Sequence, residues 1–388
     1  MGIALEEEPD HPEGASLDDA AQDAAVGQQN PGPDPAVVAL LESLKGTNTS
    51  VQVLTTDGCS LPVMDATVAQ SSLIFIPDKE EKQTVLDFTK VRLACPIEIE
   101  QIQNRWLSQT FPIPKDAVLN YPQNIKALLH RILKSYAGTA IRGRGVLPFI
   151  HPLRITDPRL SERLSTCLLL VRVLDNPILG PDQSTPDIIK RKMSDIQDQY
   201  RGYYNMDAVE AFQAYLIYTL ALFFYVNDYS RDYLAVAMLN LQGLARHVTL
   251  QGLVVRKKAP NCRPIWEDWV LAETKRRTIL VMYMFDTLLA SMHNLPTYLV
   301  AELQGLPAPG PKSLWQARVR SHWRSAHDTC IVHWDKNSFL RIVELWPPTP
   351  DLTGHEIQLR QNRVDLWLED VDEFGLVFYT FMASTHGS

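Results

Sequence analysis

The chain has 388 residues, 45% of them hydrophobic, and a formal charge of −8, enough apolar mass to bury one large core or two. Its five cysteines, at 59, 95, 167, 262 and 330, form no Cys-x-x-Cys pair, which excludes a zinc ribbon and a disulfide framework and fits a reducing compartment. The start is acidic, with no basic-then-apolar leader. The longest apolar run, Ala214–Val226, is shorter than the roughly 20 residues of a membrane span, so the expectation is a soluble intracellular protein with no membrane partner.

Charge is unevenly placed. Residues 1–35 hold nine carboxylates and no Lys or Arg, which leaves +1 on the rest of a chain whose total is −8. This head is rich in Ala, Gln, Gly and Pro and lacks aromatic residues. It cannot bury enough apolar surface to offset its ordering entropy, and is expected to be a disordered, solvating segment. Residues 36–83 read as a weakly structured linker. Ala36–Lys45 suits a short helix ended by Gly46, and Val51–Leu54 and Leu73–Ile76 have strand-like composition.

From residue 84 onward the periodicity is helical. Val85–Lys90, Ile97–Thr110 and Pro122–Ala137 come first, separated by Pro96 and the Pro112–Pro114 turn. Arg142-Gly143-Arg144-Gly145 follows; its spacing fits no nucleotide-binding fingerprint, and it reads as a loop between helices. Helices are expected over Pro158–Leu174, Pro186–Tyr200 and Met206–Val226, the last with Val209, Phe212, Leu216, Leu220 and Phe223 on one side. After a break at Asn227-Asp228, Ser230 can cap a helix running to Gly252. Beyond a Pro/Gly-rich crossing at Asn294–Lys312, Ser313–Trp334 is helical, and Gly354–Val371 forms a closing helix. No internal repeat or strand-rich region interrupts this pattern. The fold class is all-α, with residues 84–388 as one large multi-helix domain.

The centre of that domain is expected at Cys262–Met292, one long buried helix with Pro264 in its first turn. Trp266, Trp269, Val270, Glu273, Arg277, Leu280, Met284 and Leu288 share one stripe; the opposite side begins polar with Asp268 and Lys275 and turns apolar at Met282 and Leu289. Within the stripe, Glu273 and Arg277 stand at i,i+4 with the acid first, the favourable order for a structural ion pair. Asp286 points away from them as a second buried charge, with Arg246 as its expected partner.

Catalytic constellations are weak. His327, Cys330 and His333 recur at helical spacing, but i and i+6 diverge by about 120° and cannot close on one ion without outside ligands. An all-helical terpene-cyclase-like enzyme would need two acidic magnesium motifs. The candidates are Asn227-Asp228-Tyr229-Ser230, followed by Arg231 where a Ser or Thr ligand is wanted, and Glu369-Asp370-Val371-Asp372-Glu373 near the chain end. No catalytic residue, cofactor or metal ligand is assigned from these.

Trp266-x-x-Trp269-x-x-x-Glu273-x-x-Arg276-Arg277-Thr278, with Asp286 beyond it, resembles the middle homology region of fungal zinc-cluster and zinc-finger transcription factors. Leu147-Pro148-Phe149-Ile150-His151-Pro152, Leu168–Arg172 and Gly243–Arg246 resemble it upstream. Glu302-Leu303-Gln304, Leu306-Pro307, Leu314–Ala317 and Trp367-x4-Asp372-Glu373-Phe374-Gly375 do so downstream, for a likeness over about residues 84–376. The resemblance implies an all-α regulatory domain of the nucleus, or else the cytoplasm, working on metabolic or secondary-metabolite genes. Its partners would be other transcription regulators, a second copy, or a small-molecule effector. The sequence departs from the family in having no six-cysteine cluster or paired finger, so autonomous DNA binding is not expected; a gene model truncated upstream is the alternative.

Overall fold

The computed structural model describes residues 85–98, 123–175, 184–226, 231–256, 263–293, 301–334 and 339–386. The acidic head, the linker with its expected helix and strands, most of the helix expected over Ile97–Thr110, and the Asn227–Ser230 break lie outside them. All described residues belong to one compact unit, Ile76–Ser388.

Among the described residues the architecture is all-α. The helices are α1 (Gln123–Arg142), α2 (Pro152–Ile155), α3 (Glu162–Val173), α4 (Thr185–Gln199), α5 (Asn205–Tyr225) and α6 (Arg231–Leu250). They continue with α7 (Trp266–Met292), α8 (Lys312–Trp315), α9 (Arg320–His333), α10 (Gly354–Asp370) and α11 (Glu373–His386). A short antiparallel pairing joins β1 (Leu93–Ala94) to β2 (Val254–Val255), with Leu93 opposite Val255.

Local chemistry sets most boundaries. Ser161 accepts the Leu164 N–H at 3.3 Å and Ser184 the Asp187 N–H at 3.4 Å, each satisfying a free donor of a first turn. Thr353 and Glu356 form a reciprocal capping box on α10. Gly143, at φ 62°, ends α1: its N–H reaches the Ala140 carbonyl and the Arg144 N–H reaches Thr139. The Arg-Gly-Arg-Gly loop is therefore a helix terminus. Gly252, at φ 97°, ends α6 beneath β1, where an added Cβ would fall 2.5 Å from that of Leu93.

Several boundaries differ from the periodicity. Residues 85–90 are not helical, because Asp87 draws the Thr89 N–H and hydroxyl into a local turn at 3.0 and 2.8 Å. The stretch expected as one helix over Pro158–Leu174 starts only at Glu162, and α2 is a separate turn capped by His151. The stretch Ser313–Trp334 divides into α8 and α9. Pro264 precedes α7, whose N-cap is Ile265. Beyond the helix read as the closing one lies α11, started by Asp372, which accepts the Gly375 N–H at 3.1 Å.

Two helices occupy the centre. Every residue of α7 from Trp266 to Ser291 is buried, and α5 is buried from Ala208 to Leu222 while packing against α1, α3, α4, α6 and α7. The one-sided stripe read on α5 is thus part of a helix enclosed all round. Helix α5 is long and apolar enough to cross a membrane by composition, but 83% of its apolar window is packed inside the protein. Full burial of a large apolar side chain such as Phe212 or Phe285 contributes roughly 1.5–3 kcal/mol.

Candidate functional site

The polar half of α7 is buried as completely as its apolar half, so each charge must find a partner inside. Helical spacing puts Glu273, Arg276 and Arg277 together at i, i+3 and i+4. Glu273 Oε1 accepts from Arg277 Nε at 2.7 Å and from the Gly310 N–H at 2.8 Å, while Oε2 accepts from Arg276 Nη2 at 2.6 Å. Arg277 Nη1 donates to Asp372 Oδ2 at 2.5 Å and to the Pro148 carbonyl at 3.2 Å. Its guanidinium lies 4.1 Å from the Trp315 ring centre and 5.1 Å from that of Phe374.

Glu273 and Arg277 are 0% exposed, and Asp372 is 6% exposed. Two cations and two anions make a neutral set. Burial pushes the Glu273 pKa up, but Arg276, Arg277 and the Gly310 N–H outweigh it and hold the carboxyl below its ordinary value. Burial likewise disfavours the Arg277 cation, and Glu273 and Asp372 more than restore it. The cluster joins α7 to the Pro148 turn, the Gly310 loop and the start of α11. Gly310 owes its place to size: an added Cβ would sit 2.8 Å from the Trp269 ring and 3.5 Å from the Glu273 carboxyl.

Lys275 lies on the side of α7 read as polar, yet it is 0% exposed. It donates to the Val248 and Gly252 carbonyls, each at 3.1 Å, and Arg276 Nη1 donates to that of Leu253 at 2.8 Å. Together they satisfy one carbonyl in the last turn of α6 and two just beyond it, at the negative end of its dipole. Burial depresses the Lys275 pKa from 10.5 to about 7. The basic triplet Lys275–Arg277 is thus wholly internal.

A second ionic group ties α2 to α5. Arg154 Nε donates to Glu210 Oε1 at 2.7 Å and its Nη1 to Asp157 Oδ2 at 2.6 Å; Glu210 Oε2 accepts the Ser161 N–H at 2.9 Å. Between the two groups sits His151, 0% exposed, its ring edge-on to Trp315 at 4.9 Å. Burial, then the positive field of Arg277, Arg318 and Arg154, takes its pKa down to about 3, so the ring is neutral and adds no charge.

Of the residues singled out in sequence, Glu273 and Arg277 are in direct contact. Asp286 is buried but lies nine residues on, about 13 Å along the helix axis, apart from this cluster. His327 and Cys330 are buried while His333 is exposed, so the three do not converge. Asp372, from the second acidic motif, is committed to Arg277, and the first motif, Asn227–Ser230, lies outside the described residues. Among the described residues no three His, Cys, Asp or Glu side chains are grouped to hold a metal ion. The roles of Asp372, Gly310 and Glu210 escaped sequence reasoning. Glu210 had a usable signal, an acid inside an otherwise apolar stretch, which demands a cation from elsewhere.

Beside the cluster, a cavity of about 540 Å³ opens between one face of α7, the Pro307–Pro311 turn, and residues from α9 and α10. Asp268, Trp269 and Arg276 form its α7 wall.

Residues 201–361 match the family model of the fungal specific transcription factor domain. No curated protein matches the chain, and no solved structure does either. The match includes α7 and Gly310; Pro148 and Asp372, which complete the Arg277 site, stand on either side of it.

Proposed function

From the fungal specific transcription factor domain that the chain carries over residues 201–361, we propose a non-enzymatic nuclear regulator of transcription that acts through other proteins. The family match is the observation that carries this reading, and the chemistry of α7 supports it. Its Glu273–Arg276–Arg277–Asp372 set is mutually neutralising and fastens separate segments, a structural role. The terpene-cyclase alternative loses support because Asp372, needed for a second magnesium motif, is paired with Arg277.

Action through partners follows from the basic residues. Lys275–Arg277 is internal, and in the surface triplet Lys190–Lys192 two members face acids on α4, Asp187 at 4.0 Å and Asp195 at 3.6 Å. A net charge of +1 on everything beyond residue 35 does not favour duplex binding through phosphate contacts. The partners we propose are other transcription regulators or a second copy of the chain, and the targets metabolic or secondary-metabolite genes. A fluorescently tagged full chain should concentrate in the nucleus of a fungal host. The purified protein should form no salt-sensitive complex with mixed-sequence duplex DNA at micromolar concentration. Strictly cytoplasmic fluorescence would refute the nuclear reading, and a tight salt-sensitive complex would refute action through partners.

A further inference from the structure

The cavity beside Arg276 is built for more than packing. Its volume of about 540 Å³ falls within the range of pockets for drug-sized molecules. Trp269, Trp334, Trp367 and Phe339 give it aromatic walls, and Pro307–Pro311 a rigid side. Three polar atoms of lining residues are buried without a hydrogen-bond partner: Arg276 Nε, Trp334 Nε1 and His327 Nδ1. The residues bearing them are 6%, 4% and 3% exposed. An orphaned buried polar group costs about 1–3 kcal/mol; others occur elsewhere in the core, and these three are the ones that share a cavity.

The type of orphan identifies the missing partner. Arg276 Nε–H and Trp334 Nε1–H can only donate, and His327 Nδ1 can donate or accept. At the rim, Arg256 and Arg341 are exposed cations, Arg263 is exposed and paired with Asp328, and Asp268 is the one lining carboxylate. The geometry points to a binding site for a flat, ring-bearing small molecule with one terminal oxyanion of the carboxylate class, its rings among the tryptophans and its oxygens on Arg276 and Trp334. Arg256 and Arg341 draw such an anion in, and Arg276, held by Glu273 and the Leu253 carbonyl, is preorganised to receive it. Because Arg276 shares Glu273 with Arg277, the ligand would bear directly on the cluster that fastens α7 to the Gly310 loop and α11. Binding itself stands without the transcriptional reading; only its consequence as an effector signal rests on that reading.

The probe pair is 1-anilinonaphthalene-8-sulfonate and N-phenyl-1-naphthylamine, which share their rings and differ by one oxyanion. Titrated by fluorescence into the purified full chain, the sulfonate should bind saturably at one site and roughly tenfold more tightly than the neutral amine. Trp334→Phe removes a donor that has no protein partner. It should leave the melting profile close to wild type while weakening the sulfonate roughly tenfold and the amine little. Gly305→Trp adds a bulky ring at a lining position where an added Cβ meets nothing within 4 Å, and should abolish binding of both with the fold intact. Equal affinity for the two probes, or unchanged sulfonate binding in a folded Gly305→Trp protein, would overturn the assignment. These measurements involve no transcription, so their failure is distinct from failure of the regulatory reading.

Discussion

Removing one charge from the α7 cluster tests whether these residues hold the fold together. Glu273→Gln keeps the side-chain shape but withdraws the counter-charge from Arg276 and Arg277, which donate to it at 2.6 and 2.7 Å, leaving one net positive charge with Asp372. Arg277→Met keeps the apolar stem over Trp315 and strands Asp372, with Glu273 left to Arg276 alone. With Glu273 and Arg277 both 0% exposed, solvent cannot repair either loss, and each single change should cost about 3–5 kcal/mol. The double variant leaves Arg276 and Asp372, a neutral remainder, and should cost clearly less than the two singles together. Urea melts of all four proteins at pH 7 give the cycle, with equal slopes as the check that one transition is compared. The Glu273 carboxyl also titrates below its ordinary 4.5, so its contribution is complete above that pH and is lost as acid reaches the folded pKa. Glu273→Gln should remove that part of the acid sensitivity. Single variants within about 1 kcal/mol of wild type, as for an exposed pair, would refute the burial argument.

Gly310→Ala places a methyl carbon 2.8 Å from the Trp269 ring, and the recoil of the loop weakens the Gly310 N–H bond to Glu273. A loss of about 1–3 kcal/mol in the same urea assay is expected; a wild-type midpoint would show the loop adapts freely. Lys275 supplies a second pH signature, of the same sign as that of Glu273 but in a higher window. Between its folded pKa of about 7 and its ordinary 10.5, the unfolded chain retains a proton that the folded chain has released, so stability rises with pH across that window. Lys275→Met should remove this component, worth on the order of a few kcal/mol over the full window, and parallel pH profiles for the two proteins would count against a depressed lysine.

How much of this was legible depended on where the determining contact lies in the chain. The α7 helix and the Glu273–Arg277 spacing are local: hydrophobic period and i,i+4 geometry place both charges on one stripe of a long core helix. Its apolar second half identified the core. The burial of Lys275 was not legible, because the carbonyls that receive it belong to Val248 and Gly252 at the end of α6, a long-range pairing with no periodic trace. Asp372 looked like part of an acidic run, and only the packing of α11 brings it to Arg277, 95 residues away in sequence. The failed helix at residues 85–90 shows the reverse, an apolar period overruled by an Asp87–Thr89 turn. The cavity has no linear signature at all, since its walls come from the Pro307–Pro311 turn and separate helices.

The regulatory account is tested most directly by fusing the full chain to an unrelated DNA-binding module and measuring a reporter that carries the matching sites in a fungal host. Versions with and without residues 1–35 separate the acidic head from the helical domain, and each fusion is checked for solubility and nuclear entry. The account predicts that reporter output changes in both versions, because the helical domain recruits the partners. Output equal to that of the bare DNA-binding module in both soluble, nuclear fusions would contradict it.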